Sequence, residues 1–288
     1  MKNINIIKHR KIYFAISIIF IIAGIISIFA RGLNYGLDFT GGTSIGINLE
    51  KEIDADEIRE ITDKYDKKAM IVHVGDDKKE IMIKSSKNIS SQDSMTLFKD
   101  FKDKYNLKSK EPLYVESIGA TIGKEIQKNA LTSILIAALF MLVYISIRFE
   151  FKFGIAAVLG LIHDLLIMVS VYAIFRFTID SSFIAAILTI TGYSINDTII
   201  IFDRIRENSS KGRIKSYDDL VNKSIVQTIR RTLFTSITTL VTLVLIYILG
   251  VESIKTFALP LLIGIVVGTL SSVLIASPIW YLLTIRDK

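Results

Sequence analysis

Six apolar runs, each long enough for a helix to cross a bilayer, divide this chain. They lie near residues 12–30, 130–147, 154–175, 182–202, 232–249 and 257–283. One crossing takes about 20 predominantly apolar residues in helical form. Runs of this length rule out an ordinary soluble fold and predict a membrane α-helical protein with six transmembrane helices. The last run exceeds a single crossing and is expected to tilt or to continue past the interface.

The charge distribution orients these helices. A formal net charge of +7 on 288 residues could suggest a nucleic-acid partner, but between Arg31 and Lys128 there are 17 basic and 18 acidic residues, which nearly cancel. The excess sits beside the apolar runs. Lys8, Arg10 and Lys11 precede the first, Arg148 and Lys152 separate the second and third, and eight Lys/Arg lie from Arg204 to Arg231. Only Arg176 and Lys255 mark the opposite short loops. By the positive-inside rule both termini and the loop 203–231 are expected in the cytoplasm and residues 31–128 outside it. This gives three parts: 1–30 with the first helix, 31–128 outside, and 129–288 with helices two to six. The first apolar stretch is longer than a signal peptide's core, about 7–15 residues, and the site before Arg31 lacks a small-x-small pattern, so it is expected to stay as a helix. There is no cysteine, so the outer domain must fold without disulfides, and neither cysteine zinc sites nor thiolate chemistry is available. His9, His73 and His163 are scattered without ligand spacing, and no metal site is expected.

The outer segment reads as strand, helix, strand, strand, helix, strand. TSIGINL (43–49) alternates with a period of two; DADEIREITDKY (54–65) opens on an Asp54/Glu57 capping box and runs at helical period. AMIVHV (69–74) and EIMIKS (80–85) flank the turn residues Gly75, Asp76 and Asp77 as a hairpin would. SSQDSMTLFKDFKDKY (90–105) is an amphipathic helix with Met95, Phe98 and Phe101 on its apolar face, and PLYVESI (112–118) is the last strand. This βαββαβ order is that of a ferredoxin-like α+β domain, a fold that names no function by itself. GLDFTGG (36–42) lacks the Lys-Ser/Thr ending and following helix of a phosphate loop; its glycines are expected to shape a turn leading into the domain.

Within the fourth run, GYSINDTIIIFDR (192–204) places Asp197 one helical turn after Tyr193 and three residues after Ser194, with Gly192 and Asn196 beside them. A carboxylate at membrane depth costs a few kcal/mol or more and marks a bundle interior or a water-filled path. Neutral Asn and Ser often serve only as packing glue between helices; an ionisable Asp points to function. In the fifth run Arg231, Thr235, Thr238 and Thr242 are spaced by four, three and four residues and draw one polar stripe, with Arg231 placed to meet Asp197 at similar depth. A guanidinium that approaches and withdraws would make Asp197 a protonation switch. His163 and Asp164 lie within the third run, about 100° apart around a helix, so they need not serve one another, though either reaches the Asp197 face if helices three and four pack. Gly264 and Gly268 in the sixth run form a small-xxx-small packing pattern. Asp203, Arg204, Arg206 and Glu207 read as a solvated helix end.

GLDFTGG after the first span, HD (163–164) within the third, GYSINDTIIIFDRIREN (192–208) in the fourth and QTIRRTLFTS (227–236) entering the fifth resemble the SecF members of the SecD/SecF family of bacterial protein-export membrane proteins, within the resistance-nodulation-division superfamily. The resemblance covers essentially the whole chain. It implies one half of a transporter-like assembly, pairing with SecD in a pseudo-twofold arrangement. It also implies a role assisting the SecYEG channel and the SecA motor as the polypeptide emerges from the bacterial cytoplasmic membrane, with protons as coupling ion and no other cofactor. The family's fourth-helix aspartate falls on Asp197 and its fifth-helix arginine, directly before Thr-Leu, on Arg231. Two other classes stay open on the residues alone: a passive scaffold for SecD, and an intramembrane aspartyl protease using Asp164 and Asp197. Membrane lipids and a translocating polypeptide are the other expected contacts.

Overall fold

A computed structural model of the chain describes residues 5–75, 77–211 and 216–286. Asp76 of the predicted hairpin turn, Arg213 and Lys215 of the basic loop, and the first four residues of the N-terminal segment lie outside the described residues. The chain forms two compact units, one of Tyr35–Leu131 and the other of the segments before and after it.

The Tyr35–Leu131 unit contains α2 (Leu37–Thr40), β1 (Gly42–Asn48), α3 (Ala55–Thr62), β2 (Met70–Val74), β3 (Glu80–Ser85), α4 (Ser91–Tyr105) and β4 (Tyr114–Ile118), numbered after the first membrane helix, α1 (Ile6–Arg31). The strands form one antiparallel sheet in the order β2-β3-β1-β4. Its register pairs Ile45 with Ile83 and Ile47 with Ile81. Because side chains alternate with a period of two, this pairing sends all four isoleucines to one face. There they pack with Ile58 and Ile61 of α3 and Leu97, Phe98 and Phe101 of α4. Full burial of each such side chain contributes about 1.5–3 kcal/mol, and together they hold the small domain.

Local chemistry sets the ends of these elements. The Asp54 carboxylate caps α3 by accepting from the Asp56 N–H at 3.0 Å, so the cap runs to Asp56 and not to the Glu57 position expected of a capping box. Ser90 caps α4 by accepting from the Asp93 N–H at 3.1 Å. Met95 does not join the core: it is exposed, and the buried face of α4 runs through Ser94, Leu97, Phe98 and Phe101. Gly42 has φ 129°, and a Cβ there would fall on the Ser85 carbonyl, so the GLDFTGG turn needs glycine for close strand approach as well as for its dihedral. Under the sheet edge the buried Asp66 accepts from Ser85 Oγ at 2.6 Å and from the Lys68 N–H at 3.1 Å, with Lys87 Nζ at 3.7 Å. The Ser85 hydrogen bond, then the Lys68 amide and the Lys87 charge, hold the Asp66 carboxyl below the usual carboxylate range.

The membrane unit contains α1, the part of α5 (Ala120–Arg148) from Thr132 onward, α6 (Phe151–Phe175), α7 (Ser181–Ser210) and α8 (Tyr217–Leu249), followed by α9 (Glu252–Ser271), a π-helical turn (Ser272–Ala276) and α10 (Ser277–Ile285). The last three make one continuous sixth span, and among the described residues six helices are long and apolar enough to cross a bilayer. The π turn is followed within two residues by Pro278, whose missing N–H and bulky ring disfavour a regular α-helical repeat there. α7 extends past its apolar run, and its charged end is laced by pairs one turn apart: Arg206 with Asp203 at 2.8 Å, Arg204 with Glu207 at 2.8 Å and Lys211 with Glu207 at 2.6 Å.

α7 and the sixth span are the most enclosed helices, whereas α1 and α5 are largely exposed along their apolar lengths. Glycine decides how closely several of them approach. A Cβ on Gly264 would overlap Ile190, and one on Gly268 would come within 2.8 Å of Ser194 Cβ, so these two glycines seat the sixth span against α7. Gly24 does the same for α1 against Ser170 of α6. At one end of the bundle Phe153 stacks on Trp280 with centroids 4.7 Å apart and tilts against Phe202 at 4.9 Å.

Candidate functional site

Two hydrogen-bonded chains run through the enclosed helices. The first begins on α1, where Ser17 Oγ meets His163 Nε2 at 2.9 Å. His163 Nδ1 lies 3.1 Å from Asp164 Oδ1, and Asp164 Oδ2 accepts from Ser194 Oγ of α7 at 2.7 Å. Adjacent His163 and Asp164 therefore do serve one another. With Asp164 ionised, His163 must donate through Nδ1, and Nε2 then accepts from Ser17 when the ring is neutral or donates to it when the ring is charged.

The second chain is centred on Asp197, which is fully buried. Its Oδ2 accepts from Thr269 Oγ1 of α9 at 3.4 Å; Thr269 Oγ1 meets Ser236 Oγ of α8 at 2.7 Å, and Ser236 also reaches the Thr232 carbonyl at 2.9 Å. Each hydroxyl owns one proton, so the chain has two complete arrangements. With the carboxylate ionised, Ser236 donates to Thr269 and Thr269 to Asp197. With a proton on Oδ2, Asp197 donates to Thr269, Thr269 to Ser236, and Ser236 to the Thr232 carbonyl. The same atoms satisfy both protonation states by reversing direction. Asp197 Oδ1 and the buried Thr232 hydroxyl each stand without a protein partner.

The other predicted residues are placed differently. Arg231 is exposed and makes no ion pair with Asp197, although its charge is close enough to act on that carboxylate. Thr235, Thr238 and Thr242 are exposed as well, and their hydroxyls bond back to carbonyls of α8 itself. The stripe of α8 that faces inward is one residue along, through Thr228, Thr232 and Ser236. Tyr193 OH meets Thr239 Oγ1 at 3.3 Å, while Gly192 and Asn196 are exposed. Asp164 and Asp197 share no hydrogen bond; each carboxylate has its own partners, unlike a dyad holding one proton between two acids. No cluster of metal-binding side chains occurs among the described residues. The residues that sequence reasoning missed are Ser17, Thr269, Ser236 and the pair Thr198–Ser272, whose hydroxyls meet at 2.9 Å beside the Ser194 carbonyl.

A family profile described as the C-terminal part of the protein export membrane proteins SecD/SecF matches residues 97–286, and a second, described as the SecD/SecF GG motif, matches residues 26–53. The chain belongs to the SecD/SecF family. Among SecF relatives, the protein translocase subunit SecF of Sebaldella termitidis is 37% identical, the match covering 98% of this chain and 92% of the relative. That of Thermodesulfovibrio yellowstonii is 40% identical, covering 98% and 95%. The crystal structure of SecDF, a translocon-associated membrane protein from Thermus thermophilus, superposes with a TM-score of 0.87 at 33% identity, covering 99% of this chain and 39% of that one. The GG motif of the family matches the stretch in which Gly41 and Gly42 adopt φ of 70° and 129° at the start of β1. As a SecF-type chain with six spans, this is a multi-pass membrane protein of the protein-export pathway.

Proposed function

We propose that this SecF-type chain is an accessory subunit of the Sec export machinery that, together with SecD, couples proton flow to movement of its outer domain and so assists polypeptide translocation through the SecYEG channel driven by SecA. The observation that carries this reading is Asp197: a buried carboxylate whose hydroxyl chain is complete in both protonation states, with Arg231 nearby but unpaired with it. A proton crossing 100 mV releases about 2.3 kcal/mol, enough to shift a two-state equilibrium nearly fifty-fold. Asp197 is the proton carrier and Arg231 the cation whose approach sets its charge. His163 and Asp164 form a second titratable pair leading to α1. No catalytic residue or cofactor other than the proton is required.

Polar groups at membrane depth do not face lipid. The exposed face formed by Asn196 of α7 and Arg231 and Thr235 of α8 is therefore the surface that SecD covers, a reading supported by relatives in which SecD and SecF are one chain. Basic residues beside the spans support an orientation with both termini in the cytoplasm of a bacterium, in its cytoplasmic (inner) membrane, and residues 31–128 outside. The strand order β2-β3-β1-β4 with both longer helices on one face supports reading that outer segment as ferredoxin-like.

Replacing Asp197 with Asn tests the proposal in membrane vesicles carrying the intact complex. Export stimulated by a proton gradient is expected to fall to the unstimulated level while SecD still co-purifies. Gradient-dependent export equal to that of the parent would sink the coupling role and leave a passive scaffold.

A further inference from the structure

A groove of about 330 Å³ opens between α1, α6 and the sixth span. Its walls are Tyr13, Ile16, Ser17 and Phe20 from α1, His163, Ile167 and Val171 from α6, and Val267, Leu270, Leu274 and Ile275 from the sixth span. The lining residues cover eight positions on α1 and nine on each of the other two helices, and Ser17 lies level with His163, so from Tyr13 to Val171 the groove runs along the helices for about 18 Å at 1.5 Å per residue. That volume drawn out over that length leaves a width of about 5 Å, enough for one hydrocarbon chain and about half of what a helix with its side chains occupies.

The groove is graded from one end to the other. Tyr13, Ser17 and His163 lie toward the N-terminal end of α1, and only Phe20, Ile167, Val171 and Val267 line the opposite end. One turn before Tyr13, on the same stripe, stands Arg10, its guanidinium 5.2 Å from the Tyr281 ring. Lys8 and Lys11 flank it in sequence; Asp218, which bonds to Tyr281, is the acidic group beside it. A long apolar slot at membrane depth, polar at one end and basic beyond that end, has the order of tail, ester region and phosphate in a lipid.

We propose that this groove binds one acyl chain of an anionic phospholipid, with the phosphate held at Arg10 and the ester region beside Tyr13 and His163. The site shares His163 with the proton-coupling reading but does not depend on it. A bound chain would also cover the outward side of the Ser17–His163 contact.

The test uses the full chain with its SecD partner in phosphatidylcholine nanodiscs, probed by electron spin resonance of phosphatidylglycerol labelled near the end of its acyl chain. An immobilised component above that of labelled phosphatidylcholine is expected. Ile167→Trp, which fills the slot, should remove it, and Leu270→Trp from the facing wall should do the same if the first variant fails to fold. Arg10→Gln should lower the preference for phosphatidylglycerol about fivefold, the worth of one surface arginine near an anionic headgroup. An immobilised fraction unchanged by both tryptophans, or equal for the two lipids in the parent, overturns the proposal. So does efficient cross-linking of Ile16→Cys to SecD, which would make the slot a protein contact.

Discussion

Thr269 Oγ1 donates to Asp197 Oδ2 across 3.4 Å, from a helix that carries no ionisable group at that depth. The aspartate's nearest hydrogen-bond partner is thus a neutral hydroxyl, which accepts or donates with equal ease. Thr269→Val keeps the side chain's shape and deletes both capacities. Hydrogen bonds to charged groups contribute about 1.5–3 kcal/mol, so gradient-driven export should fall by about an order of magnitude or more. Thr269→Ser should retain most of it. Export in membrane vesicles from the two variants, normalised to the amount of assembled complex, checks this.

The contact between Gly264 and Ile190 leaves no room for a side chain. Gly264→Val should overpack the interface between α7 and the sixth span and cost about 1–3 kcal/mol. Gly32→Val offers a contrast, because a Cβ at Gly32 meets nothing within 4 Å but sits at φ 68°, so its cost should be backbone strain local to the end of α1. Thermal unfolding in detergent should show the first variant losing helix packing and the second leaving the bundle nearly as stable as the parent.

Asp66 gives the Tyr35–Leu131 domain a defined pH response. Its folded-state pKa is depressed, with the Ser85 hydrogen bond as the leading cause. A group depressed on folding stabilises the native state above its unfolded pKa, and that contribution is lost as pH falls through the folded value. Asp66→Asn should therefore destabilise the domain at neutral pH, by about 1.5–3 kcal/mol for hydrogen bonds to a charge. The gap from the parent should close under acid conditions. Hydrogen exchange at the amides of Ile81 and Ile83, measured across pH, reads the difference; a gap that widens on acidification would contradict it.

Asn196 and Thr235 define the exposed polar face of α7 and α8. Cysteine at either position should cross-link to SecD in intact membranes, whereas cysteine at Ile19, exposed on α1, should not. Asn196→Leu should reduce recovery of SecD through this chain. Equal cross-linking from all three sites would leave the face without a particular partner.

The sequence made Asp197 conspicuous because a carboxyl group inside an apolar run is costly wherever it points. Its partners were not conspicuous. Ser and Thr in a helix satisfy their hydroxyls on the carbonyl three or four residues back, as Thr235, Thr238 and Ser236 all do. A polar residue of this kind is tolerated on either side of the helix. Two stripes of α8, one through Arg231 and Thr235 and one through Thr232 and Ser236, differ by a single residue, or about 100°. The arginine drew the reading to the first; packing against the sixth span selects the second. In the Tyr35–Leu131 domain the period of two in β1 and β3 placed Ile45, Ile47, Ile81 and Ile83 without ambiguity. Met95 was misplaced because α4 lies close enough to its neighbours to bury the small Ser94 in its stead.

The π-helical turn at Ser272–Ala276 adds one residue to the local repeat, about 100° of rotation at the helical angle per residue. The sixth span therefore behaves as two rods sharing an axis but turned against each other. One rod shows Gly264, Gly268 and Thr269 to the helix bearing the buried acid, and the other shows Trp280 to Phe153. Smoothing that junction into regular α-helix would bring one rod out of phase while leaving the other seated. Deleting Val273 alone is thus a mechanical disconnection, severing the grip of the aromatic end from the hydroxyl end while Thr269, Ser272 and Trp280 all remain in the chain.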